Sequence, residues 1–277
     1  MTGQAGFKAE FVGDIAIVKP PYGKPVDLDA ARKYAEELMK THKFVRSVWL
    51  AAGPVSGAHK VRPLEYLAGE RRTVTVYKEH GCSFVVDVAK DFITPRLNYE
   101  HMRVARLVRE GEVVVNMFAG VGLFSIIIAK YSRPRAVHSI DINPDAYAHM
   151  VENIRLNKVE GVVIPYLGDA AEVITSKLTG IADRVLMPLP DLAIPYLKYA
   201  IAALRERGVV HVYLHVHAAK GEDPEEKARE ILAEAMSSLR VTWSSQGSRV
   251  VRMVGPRMYQ VVVDAWVERG PSQGVGS

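Results

Sequence analysis

The stretch Val113-Val-Val-Asn-Met-Phe-Ala-Gly-Val-Gly-Leu-Phe124 decides the fold. Its β-branched run predicts a strand over residues 113–118. Gly120 and Gly122 then allow a tight turn and close approach of a ligand to the backbone, and a helix follows over residues 122–131. The spacing is G-x-G with no third glycine, so the dinucleotide fingerprint is incomplete. Ordinary strand-to-helix packing would use the same turn. Outward from it, strands and helices alternate. Strands are expected over 136–140, 162–166, 184–187 and 208–217, and helices over 144–157, 170–178, 194–205 and 224–236. Closing strands are expected over 248–253 and 259–266. Such alternation predicts an α/β fold with a Rossmann-like, doubly wound sheet.

Three successive strand ends carry chemistry. The first is the glycine turn. The second is Ser139-Ile-Asp-Ile-Asn-Pro144, where Asp141 can accept hydrogen bonds from both hydroxyls of a ribose. The third is Leu167-Gly-Asp-Ala170, where Asp169 can accept from an adenine amino group. Taken alone, Asp169 could be a helix cap and Asp141 a solvated strand end. In an open α/β sheet all three face one crevice. Together they resemble the S-adenosylmethionine pocket of class I methyltransferases. The resemblance implies a cofactor site formed by Phe118, Ala119, Gly120, Gly122, Phe124, Asp141, Ile142, Asn143, Asp169 and Ala170.

The first 90 residues differ in pattern and predict a smaller α+β domain, residues 1–92, ahead of a methyltransferase domain over 93–268. Strands are expected over 11–18, 45–50, 73–77 and 83–88, a helix over 27–41, and a loop over 53–69. The Gly/Ser-rich residues 269–277 read as a frayed tail. The chain has 277 residues, 48% hydrophobic and 24% charged, which excludes a wholly disordered protein. No apolar run approaches the roughly 20 residues of a membrane span, and no signal peptide is visible, so a cytoplasmic protein is expected. The lone Cys82 excludes an intrachain disulfide and a cysteine-built metal site. Lys and Arg number 36 against 31 acids, a net +5 that permits an anionic partner. There are only five Asn and four Gln, a composition like that of thermophile proteins. All five Asn fall between Asn98 and Asn157, so each is suspected of a particular task.

Longer motifs narrow the resemblance. Gly53-Pro-Val-Ser-Gly-Ala-His-Lys-Val-Arg-Pro-Leu-Glu-Tyr-Leu-Ala-Gly-Glu70 and Val86-Asp-Val-Ala-Lys-Asp-Phe-Ile-Thr-Pro-Arg-Leu-Asn-Tyr-Glu100 are similar to the tRNA guanine-N1 methyltransferases of archaea and eukaryotes. These enzymes modify position 37, beside the anticodon. The similarity runs from about Phe11 to about Glu268. It implies S-adenosylmethionine as cofactor, tRNA and its anticodon stem-loop as partner, a monomer, and no required metal. It implies Glu100 as general base and Arg62, with Lys60 as fallback, as the cation that meets negative charge on O6. It implies Phe92, Thr94 and Arg96 beside the methionine end of the cofactor, and Pro188, Pro190, Lys60 and Arg103 toward the substrate. The chemistry asks for such roles, because guanine N1 carries a proton that a base must remove. By its position alone, Glu100 also suits a solvated first helical turn, and Arg62 a pair with Glu65 or Glu70. Phe92 and Thr94 would equally suit a packed interdomain linker.

There are departures. Met187-Pro-Leu-Pro190 stands where the family usually has Asn-Leu-Pro, and proline has no side-chain donor to hold a guanine. Asn116 stands where Asp is usual. The extra N-terminal domain of many relatives is not seen. Pro188 and the missing domain keep open a wyosine-pathway enzyme, one that methylates 4-demethylwyosine or transfers an aminocarboxypropyl group at the same tRNA position, and Pro188 keeps open a non-catalytic tRNA-binding protein. Arg71, Arg72, Arg103, Arg106, Arg109, Arg133 and Arg135 are candidates for phosphate contact or a solvated face. His211, Tyr213, His215 and His217 share one strand face, which reads as a partly buried polar face rather than a metal site.

Overall fold

A computed structural model of the protein describes residues 6–21, 25–53, 57, 62–239 and 241–270. The chain opens with β1 (Lys8–Val12), β2 (Ile15–Lys19), α1 (Leu28–Thr41), β3 (Ser47–Ala51) and β4 (Leu64–Gly69). These four strands form one sheet in the order β1-β2-β3-β4. The single strand expected over 11–18 is instead a hairpin. Its apolar residues continue through the turn, so only Gly13 and Asp14 mark the reversal. Gly13 has φ +56°, and Asp14 is clamped by Arg72 and Thr75. The loop expected over 53–69 ends in a strand, because β4 pairs antiparallel with β3. Asp27 caps α1 by accepting from the Ala30 amide, and Ala31, Ala35 and Leu38 face a small core with Val18, Val48 and Leu50.

A hairpin of β5 (Val74–Glu79) and β6 (Cys82–Asp87) comes next, then a single 3-10 turn at Pro95–Leu97 and α2 (Asn98–Leu107). The large sheet follows: β7 (Val113–Asn116), α3 (Leu123–Tyr131), β8 (Ala136–Asp141), α4 (Pro144–Leu156), β9 (Val163–Leu167), α5 (Ala170–Val173), β10 (Ala182–Met187), α6 (Pro190–Ala203), β11 (Leu204–His217), α7 (Pro224–Ser237), β12 (Val241–Gly255) and β13 (Met258–Arg269). Its order is β12-β13-β11-β10-β7-β8-β9, with β7 through β11 parallel and β13 antiparallel to β11. The chain winds from β7 outward to β9, then crosses back to β10 on the other side. Strand order therefore reverses between β7 and β10, and a crevice opens at their carboxyl ends.

Sequence details explain the elements. All four residues of β7 are buried, as expected of a central parallel strand. Pro144 and Pro224 begin α4 and α7, each behind an Asn or Asp cap. The helix expected over 170–178 stops at Val173 and widens into a π-type turn over Ile174–Leu178. There the hydroxyls of Thr175 and Ser176 bond back to the carbonyls of Ala171 and Glu172. The closing strand expected to start at 248 starts at Val241, and β13 reaches Arg269, which was expected in the tail. Residues 271–277 lie outside the described residues.

The asparagines have architectural tasks. Asn153 on α4 and Asn157 just past its end, both buried, hold the edge of β6: Asn153 takes the amide and carbonyl of Val85, and Asn157 those of Ser83. Each side-chain amide does the work of a neighbouring strand. Asn116 donates to Ser125, and Asn143 caps α4 while donating to the Lys90 carbonyl. The hairpin thus docks on α4, and Tyr77, Phe84 and Val86 share one core with Ile126, Ile127 and Met150.

Candidate active site

At the carboxyl edge, Gly120 and Gly122 have φ +55° and +95°. Left-handed backbone there lets the chain turn from β7 into α3. A Cβ on Gly120 would meet only the Phe92 carbonyl, at 3.9 Å, so the turn faces open space. A Cβ on Gly122 would press on Ile126 and Met150 at 3.2 Å, so that glycine serves packing. Asp141, at the end of β8, accepts from the Gly120 amide at 2.6 Å and the Asn143 amide at 2.9 Å. Asp169 caps α5 through the Ala171 amide at 2.7 Å, so the cap role and the crevice role coexist. Its other oxygen accepts from the Tyr196 hydroxyl, and this bond, with burial, pushes the Tyr196 pKa up to about 12. Phe118 packs edge-on against Tyr196, with ring centroids 5.5 Å apart. Ile142 and Phe92 are exposed beside them, 47% and 40% respectively.

The chain from Phe92 to Arg96 connects this turn to α2. Thr94 is not merely linker packing. Its hydroxyl donates to Glu10 on β1 and accepts from Arg252 on β12, joining three parts of the fold. Burial would raise the Glu10 carboxyl, but the bond from Lys19, with Thr94 and Arg96, brings it below its usual value.

Glu100 lies in the first turn of α2, as expected, but it is 1% exposed rather than solvated. Its Oε1 accepts from Tyr213 at 2.7 Å and from Arg103 at 2.7 Å. Its Oε2 accepts from Arg103 and from Arg249, both at 3.0 Å. Burial beside this carboxylate drives the Tyr213 pKa far up, so its hydroxyl stays a donor. Arg103 continues to Asp264 at 2.6 Å, and Asp264 to His211 Nδ1 at 2.6 Å. His211 Nε2 lies 2.7 Å from Arg184, which also grips Glu112. Arginine can only donate, so Nε2 accepts and Nδ1 carries the proton toward Asp264. Burial lowers the His211 pKa, which keeps the ring neutral. Burial would raise Asp264, but bonds from His211 and Arg103 hold it well below the usual carboxylate range. Three carboxylates (Glu100, Asp264 and Glu112) thus meet three guanidiniums (Arg103, Arg249 and Arg184) in a chain through the sheet's flank. Such burial is tolerated because every member is paired.

The structure redistributes several expectations. Two of the arginines expected toward phosphate have partners within the protein: Arg103 bonds to Glu100 and Asp264, and Arg72 to Asp14 and Glu70. Arg106, Arg109, Arg133 and Arg135 are exposed. Phe124 is a core side chain against His101 and Tyr213 rather than part of the open crevice, and Ala119, Asn143 and Ala170 are buried within its wall. Among the described residues, no bond joins Arg62 to Glu65, Glu70 or Glu100, and its Nε is buried without a partner. Lys60 lies outside the described residues. Pro188 is half-buried, and Pro190 begins α6 just beyond the end of β10. On β11, His211 and Tyr213 turn inward to the network, while His215 pairs with Asp191 and His217 is exposed. Arg249, Tyr213, His211 and Asp264 were not marked in the sequence as parts of the site. Alternation along β11 was visible, but nothing local revealed what it faced.

Residues 75–241 match the model of the TRM5/TYW2 methyltransferase domain. The chain belongs to this family. The family's enzymes are S-adenosylmethionine-dependent methyltransferases. Similar relatives include a tRNA 4-demethylwyosine(37)-methyltransferase of Saccharolobus solfataricus, 41% identical, with 93% of this chain and 92% of that one covered. A tRNA (guanine(37)-N(1))-methyltransferase of Pyrococcus abyssi is 38% identical, over 92% of this chain and 73% of the relative. Among solved structures, Trm5b of Pyrococcus abyssi superposes with TM-score 0.81 at 36% identity, covering 94% of this chain and 75% of that one. TYW2 of Methanocaldococcus jannaschii in complex with AdoMet gives 0.69 at 30% identity, covering 95% and 100%. The fold is accordingly the class I methyltransferase fold, and the chain is a methyltransferase of the TRM5/TYW2 family. No helix among the described residues is long and apolar enough to cross a membrane.

The crevice suits such a cofactor. The glycine turn opens on space that a side chain at Gly120 would enter. Two carboxylates, Asp141 and Asp169, stand at adjacent strand ends, and carboxylates accept from ribose hydroxyls and amino groups. Phe92, Phe118 and Ile142 supply apolar surface beside them.

Proposed function

We propose that the chain transfers the methyl group of S-adenosylmethionine to N1 of guanosine at position 37 of tRNA. The observation that carries this reading is Glu100, a buried carboxylate one helical turn beyond the segment that passes over the glycine turn. S-adenosylmethionine, when bound, supplies an electrophilic methyl group on a positively charged sulfur. Asp141 would hold its ribose hydroxyls and Asp169, with Tyr196, its adenine end. The turn at Gly120 and Gly122, with Phe92, Thr94 and Arg96, would border its methionine end. Glu100 would take the N1 proton as the new bond forms, and Arg62 would meet the charge on O6. An unpaired loop base can be splayed into such a pocket. Pro188, Pro190 and Lys60 would border the base, and the small domain would face the anticodon stem-loop. The protein would work as a monomer in the cytoplasm.

A second reading rests on Pro188, which has no side-chain donor for a guanine edge. It makes the acceptor an already tricyclic guanosine, the substrate class named for the 41% identical relative. One assay separates the two. Labelled S-adenosylmethionine is supplied with an unmodified tRNA transcript bearing guanosine 37, and the product nucleoside is identified by mass spectrometry. We expect 1-methylguanosine. Product only from tRNA carrying 4-demethylwyosine would replace the first reading by the second.

A further inference from the structure

We infer that Arg249 is a second substrate-contacting cation of the methyl transfer, acting beside Arg62: it covers Glu100 in the free protein and shifts to the guanine O6 when the base enters. The inference rests on guanosine as acceptor.

The argument starts from access. Of the three side chains that bond to Glu100, Tyr213 is 1% exposed, and the side chain of Arg103 is 15% exposed. The Arg249 side chain is 34% exposed and belongs to β12, the edge strand of the large sheet. The solvent side of the carboxylate is therefore the Arg249 side. A base that reaches Oε2 must displace the guanidinium or slide against it.

The second point is charge. Once displaced, Arg249 needs a new acceptor, since a partly desolvated cation without one is costly. On the Watson–Crick edge of guanine, the O6 acceptor lies beside the N1–H donor. Glu100 and Arg249, 3.0 Å apart, present an acceptor beside a donor, the complement of that edge. Adenine carries the reverse order there and would meet like with like. As N1–H gives its proton to Oε2, negative charge leaves the carboxylate and gathers on O6. Arg249 follows it over one bond length. When N1 takes the methyl group, the base is neutral again, and the proton on Glu100 is left for solvent.

The third point is pre-organisation. The guanidinium lies over the Tyr99 ring, 4.6 Å from its centroid, and Tyr99 is 66% exposed. This cation–π contact tethers Arg249 beside Glu100, so the shift needs no rebuilding of the strand. Arg62, by contrast, bonds to no part of this cluster among the described residues.

The test is a cycle of variants in enzyme and substrate. Single-turnover rates are measured for wild type, Arg249→Gln, Arg249→Lys and Arg62→Gln. The substrates are tRNA transcripts with guanosine or 6-thioguanosine at position 37, sulfur being the weaker acceptor. Thermal melts and calorimetry with S-adenosylmethionine verify each fold, and Arg249→Lys preserves the charge beside Glu100 if Arg249→Gln does not fold. We expect Arg249→Gln to slow transfer to guanosine about 10- to 100-fold, the range of one bond to a charged group. The sulfur penalty should be about tenfold in wild type and shrink to about twofold in the variant. Equal penalties in wild type and both Arg249 variants would overturn the assignment, as would coupling confined to Arg62→Gln. If wild type makes no 1-methylguanosine from guanosine 37, the guanosine reading falls and this assignment with it.

Discussion

The crevice at the ends of β7, β8 and β9 and the cluster around Glu100 are built in opposite ways. In the crevice, the key contacts are short in sequence. Asp141 reaches Asn143 two residues on and Gly120 twenty-one residues back, and Asp169 caps its own helix. In the cluster, Glu100 meets Tyr213 across 113 residues and Arg249 across 149, while Arg103 meets Asp264 across 161. The crevice leaves backbone turns facing open space. The cluster is closed, and its charges satisfy one another. The difference teaches that a cofactor site can be carried by strand ends and turns, whereas a buried charged centre needs several distant strands in register.

Four experiments sharpen or break this comparison, in descending order of effect. The largest is on the cluster. Asp264→Ala leaves His211 without its carboxylate and Arg103 with Glu100 alone, and removing one member of a buried pair costs about 3–5 kcal/mol. Urea unfolding should register that loss. A loss near that of an exposed pair would show that the network does not hold the flank together.

Next, Glu100→Gln should slow single-turnover methyl transfer by about 10² or more, as removal of a general base does. Unchanged rates, with cofactor affinity intact, would take Glu100 out of that role and leave the cluster purely structural.

On the crevice side, Asp141→Ala should weaken S-adenosylmethionine binding by about 10- to 100-fold, from loss of charged hydrogen bonds, with tRNA affinity retained. Equal affinity in calorimetry would move the ribose site elsewhere.

The smallest effect is a pH dependence. His211 has a folded pKa below its ordinary 6.5, so it is neutral when folded and takes up a proton when unfolded. Its contribution to stability is present above about pH 6.5 and is lost as pH falls from there. Urea midpoints should therefore decline from pH 7 to pH 5, and His211→Gln should flatten part of that slope. A slope unaltered in the variant would take the acid sensitivity of this range away from His211.

The parallel sheet was legible because its strands are buried on both faces and read as apolar runs between helix caps. Chain features that interrupt such runs only slightly were not. The Gly13-Asp14 reversal sits inside one apolar stretch, and β4 became a strand only by pairing with β3. The asparagines were rightly suspected, but their partner, the β6 edge, is 68 and 74 residues away.

By itself, the sequence determined the α/β order, the glycine turn, the acid at each following strand end and the candidacy of Glu100. All of these depend on backbone propensities, caps and spacing within one βα unit or a quoted motif. The tertiary structure alone decided that Glu100 is buried, that Arg103 pairs with Asp264, and that Arg249 stands over the carboxylate. The physical reason is range. Local hydrogen bonding fixes the shape of a turn, but the partner of a buried charge is whichever opposite charge the folded strands bring within about 3 Å.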